Sequence, residues 1–83
     1  MIRYFFNMRR AGKLIADAEG ALAASLDEAR DMAISDAREL IIGVLKTREA
    51  VPMVDGIEIA DEQGIILRFV IFAEALGPAG AAP

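Results

Sequence analysis

The sequence contains neither cysteine nor histidine in its 83 residues, and each absence removes a class of chemistry. Without cysteine, disulfide bonds and thiolate metal sites are excluded. Without histidine, the commonest general base is missing, so the usual nucleophile–base pairs cannot be assembled. Neither a Gly-x-Gly-x-x-Gly motif nor a Walker-type phosphate loop is present. These absences predict a protein that is not an enzyme and that holds no cofactor and no metal.

Long apolar runs are also missing, although 55% of the residues are hydrophobic. No run approaches the ~20 residues that a membrane-spanning helix needs. Arg3, Arg9 and Arg10 interrupt the apolar N-terminal stretch, which is not the pattern of a signal peptide. We therefore expect a cytoplasmic protein without membrane contact, whose single small core supplies about 3–5 kcal/mol of stability.

The N-terminal third predicts a β-hairpin. Residues Ile2–Met8 include three aromatic side chains, which favour the pleated surface of a strand. Arg10-Ala11-Gly12 lets the chain reverse, and Lys13–Ile15 predicts a short returning strand. A second turn is expected at Asp17-Ala18-Glu19-Gly20, where the glycine can adopt a positive φ.

The central third predicts one long amphipathic helix. Ser25 and Glu28 fit a capping box, in which the Ser25 hydroxyl accepts from the Glu28 N–H and the Glu28 carboxylate accepts from the Ser25 N–H. Such a helix has about 22 residues and a length of roughly 33 Å, because it has to end before Pro52. Apolar residues recur behind the cap at the spacings of an apolar helix face: Leu26, Ala29, Ala33, Ala37, Leu40, Ile41 and Val44.

The last third predicts a second hairpin. Ile57–Ile59 alternates as a half-buried strand does, Asp61–Gly64 is a turn, and Ile65–Phe72 is the most apolar strand. The predicted architecture is therefore α+β, in the order ββαββ, with an antiparallel sheet of about four strands and one long helix on one face. We expect residues 1–76 to form this single domain and residues 77–83 to be a disordered C-terminal tail.

Five short motifs together resemble a known family: Arg3-Tyr4-Phe5-Phe6, Asp17-Ala18-Glu19-Gly20, Leu26-Asp27-Glu28-Ala29-Arg30, Ser35-Asp36-Ala37-Arg38-Glu39-Leu40 and Ile57-Glu58-Ile59-Ala60-Asp61-Glu62-Gln63-Gly64. The family consists of small bacterial proteins known only as a domain of unknown function. The resemblance covers roughly residues 2–76 and implies the same strand, helix and hairpin layout, but it brings no established activity. Two positions depart from the family pattern, because Asn7 replaces a usual histidine and Arg10-Ala11-Gly12 replaces a common Asp-Gly turn.

The predicted sheet is apolar on both faces, whereas one helix can cover only one of them. Because alternate residues of a strand point to opposite sides, Leu67, Phe69 and Ile71 are expected on one face of the last strand. The opposite set joins Phe5 of the first strand in a candidate interface: Phe5, Ile66, Val70 and Phe72.

An exposed apolar face of this kind usually marks an interaction site. The leading hypothesis is a small interaction or regulatory domain that forms a homodimer through this face, since one self-complementary patch suffices for two-fold symmetry. Pairing with a different protein is a second possibility. The structural alternative is that Val51, Met53 and Val54, or the end of the chain, fold over the face.

Charge is distributed unevenly along the chain. Residues 1–13 carry four basic residues and no acidic ones, whereas the rest carries five basic and thirteen acidic residues, or −8, for a net charge of −4. A solvated turn explains the basic segment most simply, and the acidic balance disfavours general nucleic-acid binding. The sharper hypothesis is a nucleic-acid-binding or antitoxin-like regulator, with Arg3, Phe5 and Arg9 on one strand face. Its candidate anion contacts are Arg3, Arg9, Arg10 and Lys13.

A small-ligand-binding protein or an enzyme is the remaining alternative, and would require a pocket of convergent polar groups.

Overall fold

A computed structural model describes residues 1–77. The elements are β1 (Ile2–Arg10), β2 (Lys13–Ile15), β3 (Ala21–Ala23), α1 (Leu26–Lys46), β4 (Gly56–Ala60), β5 (Ile66–Ile71) and α2 (Phe72–Leu76). The α+β class and the long central helix are confirmed, and the antiparallel sheet has five strands instead of about four. Apart from Gly77, the predicted tail lies outside the described residues. Within residues 1–77, no helix is both long and apolar enough to cross a membrane.

The long strand β1 organises the sheet, whose strand order is β2-β1-β4-β5. Its C-terminal end pairs with β2, and its N-terminal end pairs with β3, the strand that the sequence did not predict. Strand β3 is only three residues long and contains two alanines, so it shows no periodic apolar pattern. Between β2 and β3 the chain leaves the ladder, and the Asp17 carboxylate accepts a hydrogen bond of 3.1 Å from the Phe6 N–H.

The first hairpin turn is tighter than the sequence suggested. Strand β1 continues to Arg10, two residues beyond the predicted end at Met8, and only Ala11 and Gly12 form the loop. Both have positive φ angles, 52° and 77°, which is the signature of a type I′ turn. That turn matches the right-handed twist of the strands, so the ladder extends up to the turn itself.

The helix α1 begins at the predicted cap. The Ser25 Oγ accepts from the Glu28 N–H at 3.1 Å, but the Glu28 carboxylate accepts from the Ala24 N–H at 3.3 Å, not from Ser25 as expected. The buried stripe of α1 contains three alanines, which let the helix lie close to the sheet: Ala29, Ala33, Ala37, Ile41 and Val44. It packs on the inner side chains of the sheet, which include Tyr4, Ile57, Ile59 and Val70.

The loop between α1 and β4 and the helix α2 both lie on the helix side of the sheet. Val51 packs against the main core, and α2 packs against α1, where Arg30 pairs with Glu74. The backbone of α2 is held by the preceding loop, since the Phe72 N–H donates to the Asp55 carbonyl at 2.7 Å. Val54 is exposed, and Met53 is 41% exposed. The expected alternative, in which this loop covers the other face of the sheet, therefore does not hold for residues 51–54.

A β-bulge in β5 overturns part of the predicted interface. Ile59 pairs with Arg68 and Ala60 pairs with Ile66, so Leu67 has no partner and the alternation of side chains shifts there. Ile66 consequently lies on the face away from the helix, whereas Val70 lies in the core. Phe72 is also in the core, as the first residue of α2. Val70 and Phe72 are 0% and 2% exposed, so their assignment to an exposed interface was wrong.

Candidate interaction surface

The sheet face opposite α1, called the open face below, is defined by the strand registers. Tyr4, Ile57 and Val70 point towards the helix and are buried, so their neighbours along each strand point the other way. Cross-strand pairing then gives the members of the open face: Arg3, Phe5, Asn7 and Arg9 from β1, Leu14 from β2, Leu22 from β3, Glu58 and Ala60 from β4, and Ile66, Phe69 and Ile71 from β5. Of the predicted interface residues, Phe5 and Ile66 lie on this face.

The outer parts of the open face are apolar and exposed. Leu14, Leu22 and Ile66 are each about half exposed, and Phe69 is 36% exposed. Phe5 and Ile71 are partly exposed beside them. These residues come from four of the five strands, so they spread over the sheet instead of forming one isolated spot.

An ion pair between the exposed Arg9 and the buried Glu58 occupies the centre of the open face. Glu58 lies on β4 directly between Asn7 and Phe69, and its side chain is only 7% exposed. The Glu58 Oε2 accepts from Arg9 Nε at 2.8 Å and from Arg9 Nη2 at 2.6 Å. A buried carboxylate needs such a partner, because an uncompensated charge removed from water is costly. The pair therefore fixes a neutral polar centre within an apolar surround.

The open face is not where the negative charge of the protein lies. Its charged residues are Arg3, Arg9 and Glu58, whereas the chain carries −4 overall. Five of the acidic residues lie on the helix layer instead, in α1: Asp27, Glu28, Asp31, Asp36 and Glu39. Asp17, Asp61 and Glu62 line a cavity together with Phe5, Asn7 and Ala60, so acidic side chains also lie at one border of the open face.

The four predicted anion contacts do not form one patch. Arg3 and Arg9 lie on the open face, whereas the register places Arg10 and Lys13 on the helix side. Three of the four side chains already have partners. Arg9 pairs with Glu58, Arg10 lies 3.6 Å from a Glu49 carboxylate oxygen, and Arg3 donates to a backbone carbonyl at 2.8 Å.

Asp17, which the sequence suggested only as a turn residue, organises the edge of β1 beside the open face. Partial burial raises its pKa, but hydrogen bonds from the backbone N–H groups of Gly20, Phe6 and Glu19 outweigh this and lower the pKa below its usual value. The Asp17 N–H in turn donates to Asn7 Oδ1 at 2.9 Å. Acidic residues in turns are common, so no signal in the sequence predicts this long-range role.

A cavity of about 360 Å³ lies on the other side of the sheet, between β1 and α1. Its apolar lining includes Phe6 and Leu40, and the carboxylates of Asp36 and Glu39 also reach it. Burial raises the pKa of Asp36, and the nearby charges of Glu39 and Asp17 raise it further. Within residues 1–77, no group of three or more acidic side chains is placed to hold a metal ion.

A second exposed apolar patch lies on the outer side of the helices. Ile42 and Leu45 of α1 and Leu76 of α2 line a groove of about 400 Å³ together with Arg38. Ile42 and Leu45 are 52% and 57% exposed, similar to the leucines of the open face. This patch provides matched control positions for tests of the open face.

Comparison with known proteins gives one match. A family model described as "Domain of unknown function (DUF6894)" matches residues 3–73. That range includes every residue of the open face. No match was found among the curated proteins or among the solved structures.

Proposed function

The chain belongs to this family of domains of unknown function, and we propose that it is a non-enzymatic interaction domain that forms a homodimer through its open face. One observation carries the proposal: the open face exposes apolar side chains from several strands, and both helices lie on the other side of the sheet. Exposed apolar surface on this scale, here arranged around a polar centre, is typical of protein interaction sites. The role of the domain is then to associate, and no chemical step is assigned to it.

The size of the open face suits a stable dimer. The described chain is flat, with extents of 35 × 33 × 17 Å. Its broad side therefore has a projected area on the order of 1,000 Å², compared with about 800 Å² that each partner buries in a standard interface. A second sheet packed face to face, about 10 Å away, would turn one half-covered sheet into the interior of a four-layer dimer.

A second copy of the chain fits this face better than a charged partner does. A two-fold axis places the same patch on both sides of the contact, so an apolar surround meets an apolar surround. The ion pair of Arg9 and Glu58 is already neutral within one copy, and the acidic helix α1 is turned outwards. Arg3 is the remaining charge on the strands of the face, and its partner is a neutral backbone carbonyl, so the face as a whole does not select a strongly charged partner.

The proposal is tested by the molar mass in solution, measured by light scattering over a wide range of concentration. The wild type is expected to have at least twice the 8.9 kDa of one chain. Leu14→Asp with Leu22→Asp places two charges on the open face, at half-exposed positions where the fold tolerates them, and is expected to lower the mass at least by half.

The control is Ile42→Asp with Leu45→Asp, which makes an equal change at equally exposed residues of α1. It is expected to keep the wild-type mass, and circular dichroism checks that each variant is folded. A wild type that stays monomeric at every concentration would refute the homodimer. Dissociation of the α1 variant alone would place the contact on the outer groove.

The nucleic-acid hypothesis receives less support, because the basic side chains are divided between two faces and mostly paired. We expect no binding of single-stranded RNA or DNA oligonucleotides by fluorescence anisotropy at low salt. Binding that weakens with added salt, and that is lost in Arg3→Ala with Lys13→Ala, would revive it.

A further inference from the structure

We propose that the outer edge of β5 is a second self-association site, at which β5 of two copies pair antiparallel and join their sheets. Among residues 1–77, β4 is the only strand paired with β5. The outer edge of β5 therefore presents backbone N–H and C=O groups that another strand can bond. This inference concerns the edge of the sheet and does not depend on the proposed contact through the open face.

The edge lacks most of the features that keep edge strands apart. Such strands are usually short, charged or interrupted by proline. Strand β5 has six residues, contains no proline and carries one charge, Arg68. Its exposed apolar side chains continue into the preceding turn: Ile65, Ile66, Leu67 and Phe69 are each at least 36% exposed. One protective feature is present, the bulge at Leu67, and it leaves Arg68–Ile71 as a regular edge.

Symmetry restricts how two copies of β5 can pair. The two-fold axis stands perpendicular to the joined sheet, and directly opposed residues point to the same face. The axis must therefore pass through a position at which one residue lies opposite the same residue of the second copy. An axis at Arg68 would oppose two guanidinium groups, which is destabilising. An axis at Leu67 falls on the bulge, and one at Val70 leaves little overlap because α2 begins at Phe72.

An axis at Phe69 keeps the self-opposed position off Arg68 and off the bulge, and it leaves more of the strand on both sides of the axis than an axis at Val70 does. The two Phe69 rings then form a cross-strand aromatic pair on the open face, a favourable combination. Arg68 lies opposite Val70 of the second copy, and the bulge at Leu67 stays at the end of the contact. A strand that is complementary to itself in this way identifies a second copy of the chain as the partner.

The edge contact and the face contact are geometrically compatible. The axis of the edge contact is perpendicular to the sheet, whereas the axis of a face-to-face dimer is parallel to it. Perpendicular two-fold axes that intersect generate a closed tetramer, so the two contacts are compatible in one closed assembly when the face axis runs through the edge axis at Phe69. The absence of cysteine in the chain makes the edge contact directly testable, because one introduced thiol is unique.

The test is disulfide formation in the full-length Phe69→Cys protein, oxidised with copper phenanthroline and followed by non-reducing electrophoresis. Opposed Cβ atoms lie about 5 Å apart, close to the distance that a disulfide needs. Leu14→Cys is the control, because Leu14 is also exposed on the open face but lies three strands away, about 14 Å from β5. Phe69→Cys is expected to crosslink at least about tenfold faster than Leu14→Cys, since two Leu14 side chains stay far outside disulfide reach in an edge pair.

Combination with Leu22→Asp, which disturbs the open face away from β5, separates the two contacts. Persistence of the Phe69→Cys crosslink supports the edge site when the molar mass shows that the face contact is lost. Disappearance of the crosslink would mean that it formed across the open face, and would overturn the edge site while supporting the proposed function. Equal rates for Phe69→Cys and Leu14→Cys would also overturn it. If Phe69→Cys does not fold, the molar mass of Leu14→Asp with Leu22→Asp serves instead: a mass of two chains supports the edge site, and a mass of one chain overturns it.

Discussion

Replacing Gly56 by alanine is expected to destabilise the fold, whereas the same replacement at Gly43 is expected to stabilise it. A Cβ atom on Gly56 would lie 2.0 Å from the Val70 carbonyl oxygen and 2.7 Å from the Ile71 Cα. Both neighbours are backbone atoms of β5, so they cannot move aside without opening the ladder between β4 and β5. A Cβ atom on Gly43 would meet nothing within 4 Å.

The magnitudes follow from these contacts. Ordinary carbon–oxygen contacts begin near ~3.3 Å, so the two strands would have to separate locally by more than about 1 Å. Overpacking of this kind costs about 1–3 kcal/mol, and each ladder hydrogen bond that is distorted adds up to about 1 kcal/mol. We therefore expect Gly56→Ala to lower the free energy of unfolding by about 2–4 kcal/mol. Gly43→Ala should raise the free energy of unfolding by about 0.5–1 kcal/mol. Gly43 lies in the interior of the helix, and alanine loses less conformational freedom than glycine when it folds into that position.

The assay is urea and thermal unfolding followed by circular dichroism at the helix signal. For a domain of this size, 1 kcal/mol shifts Tm by about 4–8 °C, so the two variants are expected to differ by on the order of 15 °C or more. A domain with only about 3–5 kcal/mol of stability would leave Gly56→Ala partly unfolded at room temperature. Equal effects of the two substitutions would refute the close approach of β4 and β5 at Gly56.

Three further predictions concern ionisable groups. Arg9→Met is expected to lower the free energy of unfolding by about 1.5–3 kcal/mol in urea titrations, because it leaves the buried Glu58 carboxylate unpaired. Adding Glu58→Gln should restore most of the lost stability. If the second substitution restores nothing, the role of the pair is contradicted. Because its pKa is lowered, the Asp17 carboxylate stabilises the fold above its unfolded pKa of about 4, and this contribution is lost as the pH falls through the folded pKa. In Asp17→Asn, the free energy of unfolding should therefore fall less steeply as the pH is lowered. An unchanged slope of unfolding free energy against pH would argue against that effect. Because the pKa of Asp36 is raised, its ionised carboxylate lowers stability at neutral pH, and Asp36→Asn should raise the free energy of unfolding there by a few tenths of a kcal/mol. This increase disappears as the pH falls below the folded pKa. A larger increase in the control variant Glu39→Gln would contradict burial as the main cause.

Local interactions made α1 predictable. The Ser25 hydroxyl and the Glu28 N–H lie within one helical turn, and the alanine-rich stripe repeats with the helical period. The two hairpins were visible for the same reason, since turn residues separate short apolar segments. These signals act over a few residues, so the sequence by itself determined the α+β class, the single long helix and the excess of apolar sheet surface.

The candidate site was only partly predictable. Phe5 and Ile66 lie on the open face, but the alternation rule that selected Ile66 also selected Val70, and the bulge at Leu67 placed these two on opposite sides of the sheet. A bulge depends on how two strands fit against each other, and no residue type in β5 predicts it.

Long-range pairing decided the rest. Arg9 and Glu58 are 49 positions apart, and only the ladder between β1 and β4 brings them together as a partly buried pair. The same ladder sends Arg9 and Arg10 to opposite faces and so divides the basic segment that looks continuous in the sequence. Tertiary structure alone therefore decided which apolar residues α1 covers and which charges are already neutralised, because both depend on strand register, a property of two segments together and of neither one alone.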